Sequence, residues 1–140
     1  MLHIQIIQVG KTKEKLFKAA EQEFNKRLSK YAKITTHTVE DNGKIMNQIE
    51  KGAFTVALEI KGKQFSSEEF ADFIKRRQFA GEKLTFIIGG HLGLPVEIVN
   101  DCQAKLSLSK MTFTHQMVRV FLLEQIYRAY TILEGKKYHY

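Results

Sequence analysis

LTFIIGGHLGLP, residues 84–95, decides the fold. Leu84 to Ile88 is an apolar run of strand length. It gives out in bare backbone at Gly89-Gly90, turns through Gly93, and meets Pro95, a residue suited to the first turn of a helix. A strand that passes through a glycine turn into a helix is one step of an α/β alternation, and the rest of the chain repeats that step.

Leu2 to Val9 alternates, is rich in Ile and Val, and reads as a strand ending at Gly10. From Thr12 to about Tyr31, Leu16, Phe17, Ala20, Phe24, Leu28 and Tyr31 recur at helical spacing, with Lys11, Lys15, Lys18 and Lys26 opposite. Ile34 to Val39 is β-branched and predicts a second strand, and Asp41-Asn42-Gly43 predicts a turn. A short helix over Ile45 to Glu50 and an apolar strand over Phe54 to Ile60 follow. Ser66 with Glu69 is a capping-box pattern opening a helix through about Phe79. Leu106 to Met111 predicts a short fifth strand, and His115 to Glu134 a long last helix. No repeat, low-complexity tract or linker interrupts residues 1–140, so one domain is expected. Alternating strands and helices imply an α/β domain with a mostly parallel sheet. Ligands gather at the carboxyl ends of such strands, which are Leu58 to Lys61, Gly89 to Gly93 and the segment after Leu106.

The 140 residues are 44% hydrophobic and 26% charged, ordinary for a globular protein that needs no disulfide or metal staple. Cys102, the only cysteine, excludes an internal disulfide and a Cys-based zinc site, and in a helical segment it reads as packing. MLHIQIIQVG runs straight into a strand without a basic leader, and no apolar run is long enough to span a bilayer, so a reducing, cytoplasmic setting is expected. The net charge of +7 lies at the two ends of the chain, residues 1–33 and 103–140, while the middle is slightly acidic. Basic ends suit a polyanion, since each phosphate contact releases counterions; a lysine-rich solvated surface is the plainer reading.

The final helix is apolar on most of its circumference, which predicts burial on more than one side. In a domain this small, one side faces the sheet and another faces a second subunit, so a homodimer is expected. At about 100° per residue, Arg119 and Arg128 point in nearly opposite directions, one toward a pocket and the other toward the interface or the partner's pocket. GGHLG lacks GxGxxG spacing and is no dinucleotide fingerprint, nor is it a P-loop. No serine sits in a GxSxG elbow, and His3, His37, His91, His115 and His139 show no metal-ligand spacing. Ser107, Ser109, Thr112 and Thr114 offer donors and acceptors or simply satisfy a loop. Glu124 and Arg128 are placed to pair. Tyr138-His139 is either a loose end or an aromatic and an imidazole that stack on and bond a base. Spacing alone supports an α/β domain with an anionic partner and goes no further.

Those same residues resemble the ribosomal RNA large subunit methyltransferase H (RlmH) family of the SPOUT class. IGGHLG, LSLSKMTFTHQMVRV, EQIYRA and YH follow in the family's order and spacing, and the likeness runs from Val9-Gly10 to Tyr138-His139. The resemblance implies an α/β fold whose C-terminal segment threads a trefoil knot, a homodimer, and S-adenosylmethionine bound in the knot, with no metal and no membrane partner. It also implies methylation at N3 of a pseudouridine in 23S rRNA of the assembled ribosome. By position, Leu58, Gly89, Leu108, Ser109, Lys110, Met111, Thr112 and Phe113 would contact the cofactor. Arg119, Arg128 and His139 would serve catalysis, and Tyr127 and Tyr138 the substrate RNA. The chain is shorter than is usual for that family, with the gap between Val39 and Ala53. His91 is given no catalytic role. A base such as His139 or a cation such as Arg119 or Arg128 would manage the N3 proton, with the arginine device preferred. The rival reading is a non-enzymatic RNA- or ribosome-binding factor, which would show no binding heat with S-adenosylmethionine.

Overall fold

A computed structural model describes residues 1–139. Five strands are present: β1 (Leu2–Val9), β2 (Ala32–Val39), β3 (Phe54–Gln64), β4 (Leu84–Ile88) and β5 (Ala104–Ser107). They form one parallel sheet in the order β2-β1-β4-β3-β5. Between them run α1 (Lys15–Leu28), a 3-10 turn (Asn42–Lys44), α2 (Ile45–Gln48), α3 (Ser67–Ala80) and α4 (Val96–Asp101), and α5 (His115–Leu133) follows β5.

β1 and β4 are central, and all five residues of β4 are buried. A strand covered on both faces has to be apolar throughout, and LTFII obeys with one exception. Thr85 offsets its burial by donating its hydroxyl to Gln5 Oε1 at 3.0 Å, and Gln5 Nε2 donates onward to Gln48 O at 2.7 Å. One face of the sheet carries α1, α3 and α5, with Leu122 and Ile126 of α5 in one core with Ile4, Ile6, Val56, Leu84 and Phe86 of the strands. The other face holds a smaller core of Ile7, Val39, Ile45, Ala57, Ile87, Ile98, Val99 and Cys102. α3 opens with both halves of the capping box between Ser66 and Glu69 and ends at Gly81 with φ 70°.

Several local expectations shift. The fifth strand lies at Ala104–Ser107 instead of Leu106 to Met111, pairing Leu106 with Leu58 and then, across a register shift, with Lys63. Past it, Ser107 Oγ donates to Ser109 O at 2.9 Å, and Ser109 Oγ accepts from Met111 N at 3.0 Å. Such local side-chain bonds take the backbone out of the ladder. Cys102 is not helical: α4 stops at Asp101, and Cys102 is extended and buried on the way into β5. Pro95 stands just outside α4 as its N-cap. Leu16, expected on the apolar face of α1, is 73% exposed.

Candidate functional site

The carboxyl ends of β3, β4 and β5 open into a cleft of about 870 Å³. Its floor is the Gly89–Leu94 turn, one wall is the Leu108–Thr114 loop, and the other wall is the start of α5 with Glu14 and Phe17. Of the eight positions expected at a cofactor, Leu58, Gly89, Leu108, Ser109, Met111, Thr112 and Phe113 line this cleft; Lys110 is exposed on the same loop without lining it.

Gly89 is required for a closer reason than access by a ligand. A Cβ there would lie 2.6 Å from the carbonyl carbon of Gly93 and 2.9 Å from Leu94 N, so the turn folds back on its own bare backbone. Gly93 closes it with φ 76° and a 2.9 Å bond from its N–H to Gly90 O. The turn leaves Leu92 87% exposed, and Met111 across from it is 74% exposed. Polar backbone below and uncovered apolar side chains at the rim suit a flat ligand with a polar edge.

His115, Gln116, Ile60, Glu14 and Phe17 also line the cleft and were not singled out from sequence. Burial holds the His115 imidazole below its ordinary range, helped by Arg119, His91 and Lys13. Gln116 Oε1 accepts from Lys13 N at 3.1 Å and from Glu14 N at 3.2 Å, capping α1, which has no side-chain cap of its own. The start of α1 carries no Ser, Thr, Asp or Asn at the capping position, and that gap was the available signal that a cap comes from elsewhere.

The structure separates the two arginines. Arg119 is 1% exposed, and its guanidinium donates to Thr12 Oγ1 at 2.9 Å and to Val9 O and Gly10 O at 2.8 Å each. It does not line the cleft. Arg128 lies on the opposite side of α5, bonded to Glu124 Oε2 at 2.7 Å and to His139 Nδ1 at 3.0 Å, with its guanidinium 4.8 Å from the Tyr138 ring centroid. Tyr138 donates its hydroxyl to Glu124 at 2.8 Å and meets Tyr127 edge-on at 4.8 Å. His139 Nε2 lies 2.7 Å from Glu68 Oε1. The anticipated Glu124–Arg128 pair thus exists, and Tyr127, Arg128, Tyr138 and His139 form one group. Hydrogen bonding and charge from Glu124 push the Arg128 pKa up, so this group keeps a fixed cation.

That group is remote from the cleft of its own chain. Arg128 follows His115 by thirteen residues along α5, roughly 20 Å at ~1.5 Å per residue. None of Tyr127, Arg128, Tyr138 and His139 lines the cleft. Among the described residues no cluster of three His, Cys, Asp or Glu side chains is placed to hold a metal ion, and no helix is long and apolar enough to cross a membrane.

Residues 2–139 match the sequence profile of a family described as predicted SPOUT methyltransferase. The ribosomal RNA large subunit methyltransferase H of Clostridium botulinum strain Okra is 44% identical over 158 aligned positions, covering 99% of each chain. That of Carboxydothermus hydrogenoformans is 42% identical, also over 158 positions and 99% of each. The alignments are longer than this chain of 140 residues, so both relatives carry residues without a counterpart here. Among solved structures, a probable methylase family protein from Haemophilus influenzae superposes with a TM-score of 0.63 at 11% identity, over 100% of this chain and 72% of that one. The A. aeolicus TrmH/SpoU tRNA modifying enzyme gives 0.55 at 13%, over 96% and 78%. At those identities the likeness is one of fold.

Proposed function

Because the chain belongs to the SPOUT methyltransferases, and within them to the ribosomal RNA large subunit methyltransferase H family, we propose that it methylates N3 of a pseudouridine in 23S rRNA of the assembled ribosome, using S-adenosylmethionine. The observation that carries this reading is the cleft at the carboxyl ends of β3, β4 and β5, where seven of the eight expected cofactor positions meet. Its fit to the cofactor rests on its size, within the range of small-molecule sites, on the bare backbone of the Gly89–Gly93 turn, and on the uncovered Leu92 and Met111 at the rim. Residues 1–140 act as one catalytic domain. The Leu108–Thr114 loop, which carries most of those positions, is the segment that threads the knot. The residues that relatives have in addition fall in the connection between Val39 and Ala53, which crosses the face of the sheet opposite α1, α3 and α5 and packs Ile45 against Ile7 and Ile87. An rRNA substrate makes the cytoplasm the place of action.

Bound S-adenosylmethionine supplies an electrophilic methyl group on a sulfonium; the protein's part is alignment and charge. Leu58, Leu108 and the Gly89 turn hold the donor, and placing two reactants in attack geometry is worth roughly 7–11 kcal/mol. N3 of the base would lose its proton to solvent, leaving the pyrimidine transiently anionic, and the new N–C bond would form as the donor's S–CH3 bond breaks and a neutral thioether is released. Arg128 is the group suited to stabilise that charge. His139 is less suited to take the proton as it stands: Nδ1 already accepts from Arg128, which leaves the hydrogen on Nε2, facing Glu68. It would act as a base only after leaving one partner.

Cleft and cationic group cannot meet within one protomer across roughly 20 Å of helix. A homodimer answers this, with the Arg128–Tyr138–His139 group of one copy set at the cleft of the other. Leu16, exposed on α1 next to the cleft residue Phe17, supplies apolar surface for that contact. Calorimetry with S-adenosylmethionine should give binding heat, and ribosomes incubated with enzyme and donor should gain one methyl group on a pseudouridine, read by mass spectrometry of the rRNA digest. No heat and no methyl transfer would end the proposal.

A further inference from the structure

At the edge of the cleft, the turn between β1 and α1, residues Gly10 to Glu14, is held from α5. Five hydrogen bonds reach it or the end of β1 from two side chains one helical turn apart on α5. Arg119 donates to Val9 O, Gly10 O and Thr12 Oγ1, and Gln116 accepts from the N–H groups of Lys13 and Glu14. The clamp places a guanidinium in the interior with no carboxylate among its bonded partners, and its Nε is left without any partner. A buried charge that is not neutralised is costly. Directly on the clamped turn, Lys11 and Lys13 are exposed, and neither has a carboxylate within salt-bridge distance among the described residues. The acids nearby are Glu14, exposed on the turn itself, and Glu21, half-buried two helical turns along the same side of α1, whose charge favours the charged form of Arg119 without bonding it. Glu14 and Phe17 line the cleft, so the turn is its lip. Two unpaired ammonium groups above a buried guanidinium that bonds no carboxylate make one side of the cleft mouth positive.

We propose that Gln116 and Arg119 are positioning residues that hold the β1–α1 turn as an anion-gripping lip, and that Lys11 and Lys13 on it contact two backbone phosphates of the RNA strand bearing the target base. The contacts are to phosphate, so they fix the strand's register without reading its sequence. The arrangement gives Arg119 no contact with substrate: it acts through the turn. The inference rests on the methyltransferase reading above, and the controls separate the two. Wild-type protein that neither binds S-adenosylmethionine nor methylates ribosomes defeats the reading; wild-type protein that does both leaves the lip to be judged by its variants.

The test compares wild type, a Lys11→Gln/Lys13→Gln double variant, Gln116→Leu, and the triple combination, all confirmed to have the oligomeric state of wild type. The double variant should raise KM for ribosomes roughly 5- to 20-fold and make its dependence on log salt concentration shallower by about two, one for each lost phosphate contact. Affinity for S-adenosylmethionine should not change. Gln116→Leu frees the turn and should raise the same KM, read at saturating S-adenosylmethionine because Gln116 also lines the cleft. In the triple variant it should add nothing, because the lysines it positions are gone. The proposal is overturned if charge removal leaves KM and its salt dependence unchanged, if it changes the oligomeric state, or if Gln116→Leu costs the same factor with and without the lysines.

Discussion

Arg119 and Arg128 share a helix and a charge, and they end in opposite situations. One guanidinium sits in the interior bonded to Val9, Gly10 and Thr12; the other lies half-open between Glu124, Tyr138 and His139. Nine residues of helix turn them to opposite sides, which was legible in advance; which of the two is buried was not, because that depends on where the end of β1 lands. His115 shows the same limit. Its spacing to the other histidines marked no metal site and gave it no role, yet it lines the cleft, and burial with Arg119, His91 and Lys13 nearby keeps its pKa below the ordinary value. A histidine with a lowered folded pKa binds its proton more readily when unfolded. Its contribution is therefore fully present above about pH 6.5 and is lost as pH falls through that value toward the folded pKa. Urea unfolding at pH 7.5 and pH 5.5 should show wild type losing more stability on acidification than His115→Asn. Equal losses would mean that the environment of His115 does not disfavour its charge.

Elements were legible where local chemistry and the tertiary fold agree. β1, β4 and α3 fall within a residue of expectation, since an apolar run, a glycine stop and a capping box each act over a few residues. β5 was displaced because strand pairing is a long-range event. Leu106 and Leu108 alternate equally well in either reading, and the choice was made by Leu58 and Lys63 across the bulge, where Gly62 allows β5 to approach: a Cβ there would lie 2.8 Å from Lys105 C. α3 supplies the test of local coding. Ser66 accepts from Glu69 N at 3.0 Å, and Glu69 Oε1 accepts from Ser66 N at 2.8 Å. Ser66→Ala should cost about 1 kcal/mol of unfolding free energy, measured by urea denaturation. Because no residue of α3 lines the cleft, S-adenosylmethionine affinity should hold. A loss well below a few tenths of a kcal/mol would mean that packing of Phe70 and Ile74, not the cap, sets where α3 begins.

For the whole molecule, the apolar circumference of α5 led to the expectation of a second subunit; within the chain α1 and α3 pack along that helix, and the homodimer we propose rests on the distance between cleft and cationic group. The consequence is testable by mixing defects. Leu58→Arg places a cation in a cleft meant for a cationic donor and should abolish cofactor binding, while Arg128→Ala should leave binding intact and abolish most turnover. Each homodimer then has no working site. If an active site takes its cleft from one protomer and its arginine from the other, a mixed dimer has one site in which both parts are sound and one in which both are spoiled. Equal amounts exchanged to equilibrium give half mixed dimers with one of two sites working, about a quarter of wild-type turnover by the statistics of random pairing. If each protomer instead used its own arginine, every site in the mixed dimer would carry one defect, and mixing would recover nothing. Circular dichroism on each variant guards against misfolding, and light scattering must find dimers in every sample. A monomeric wild-type protein with full turnover would require α5 to bring Arg128 to its own cleft, which the roughly 20 Å of helix between them forbids.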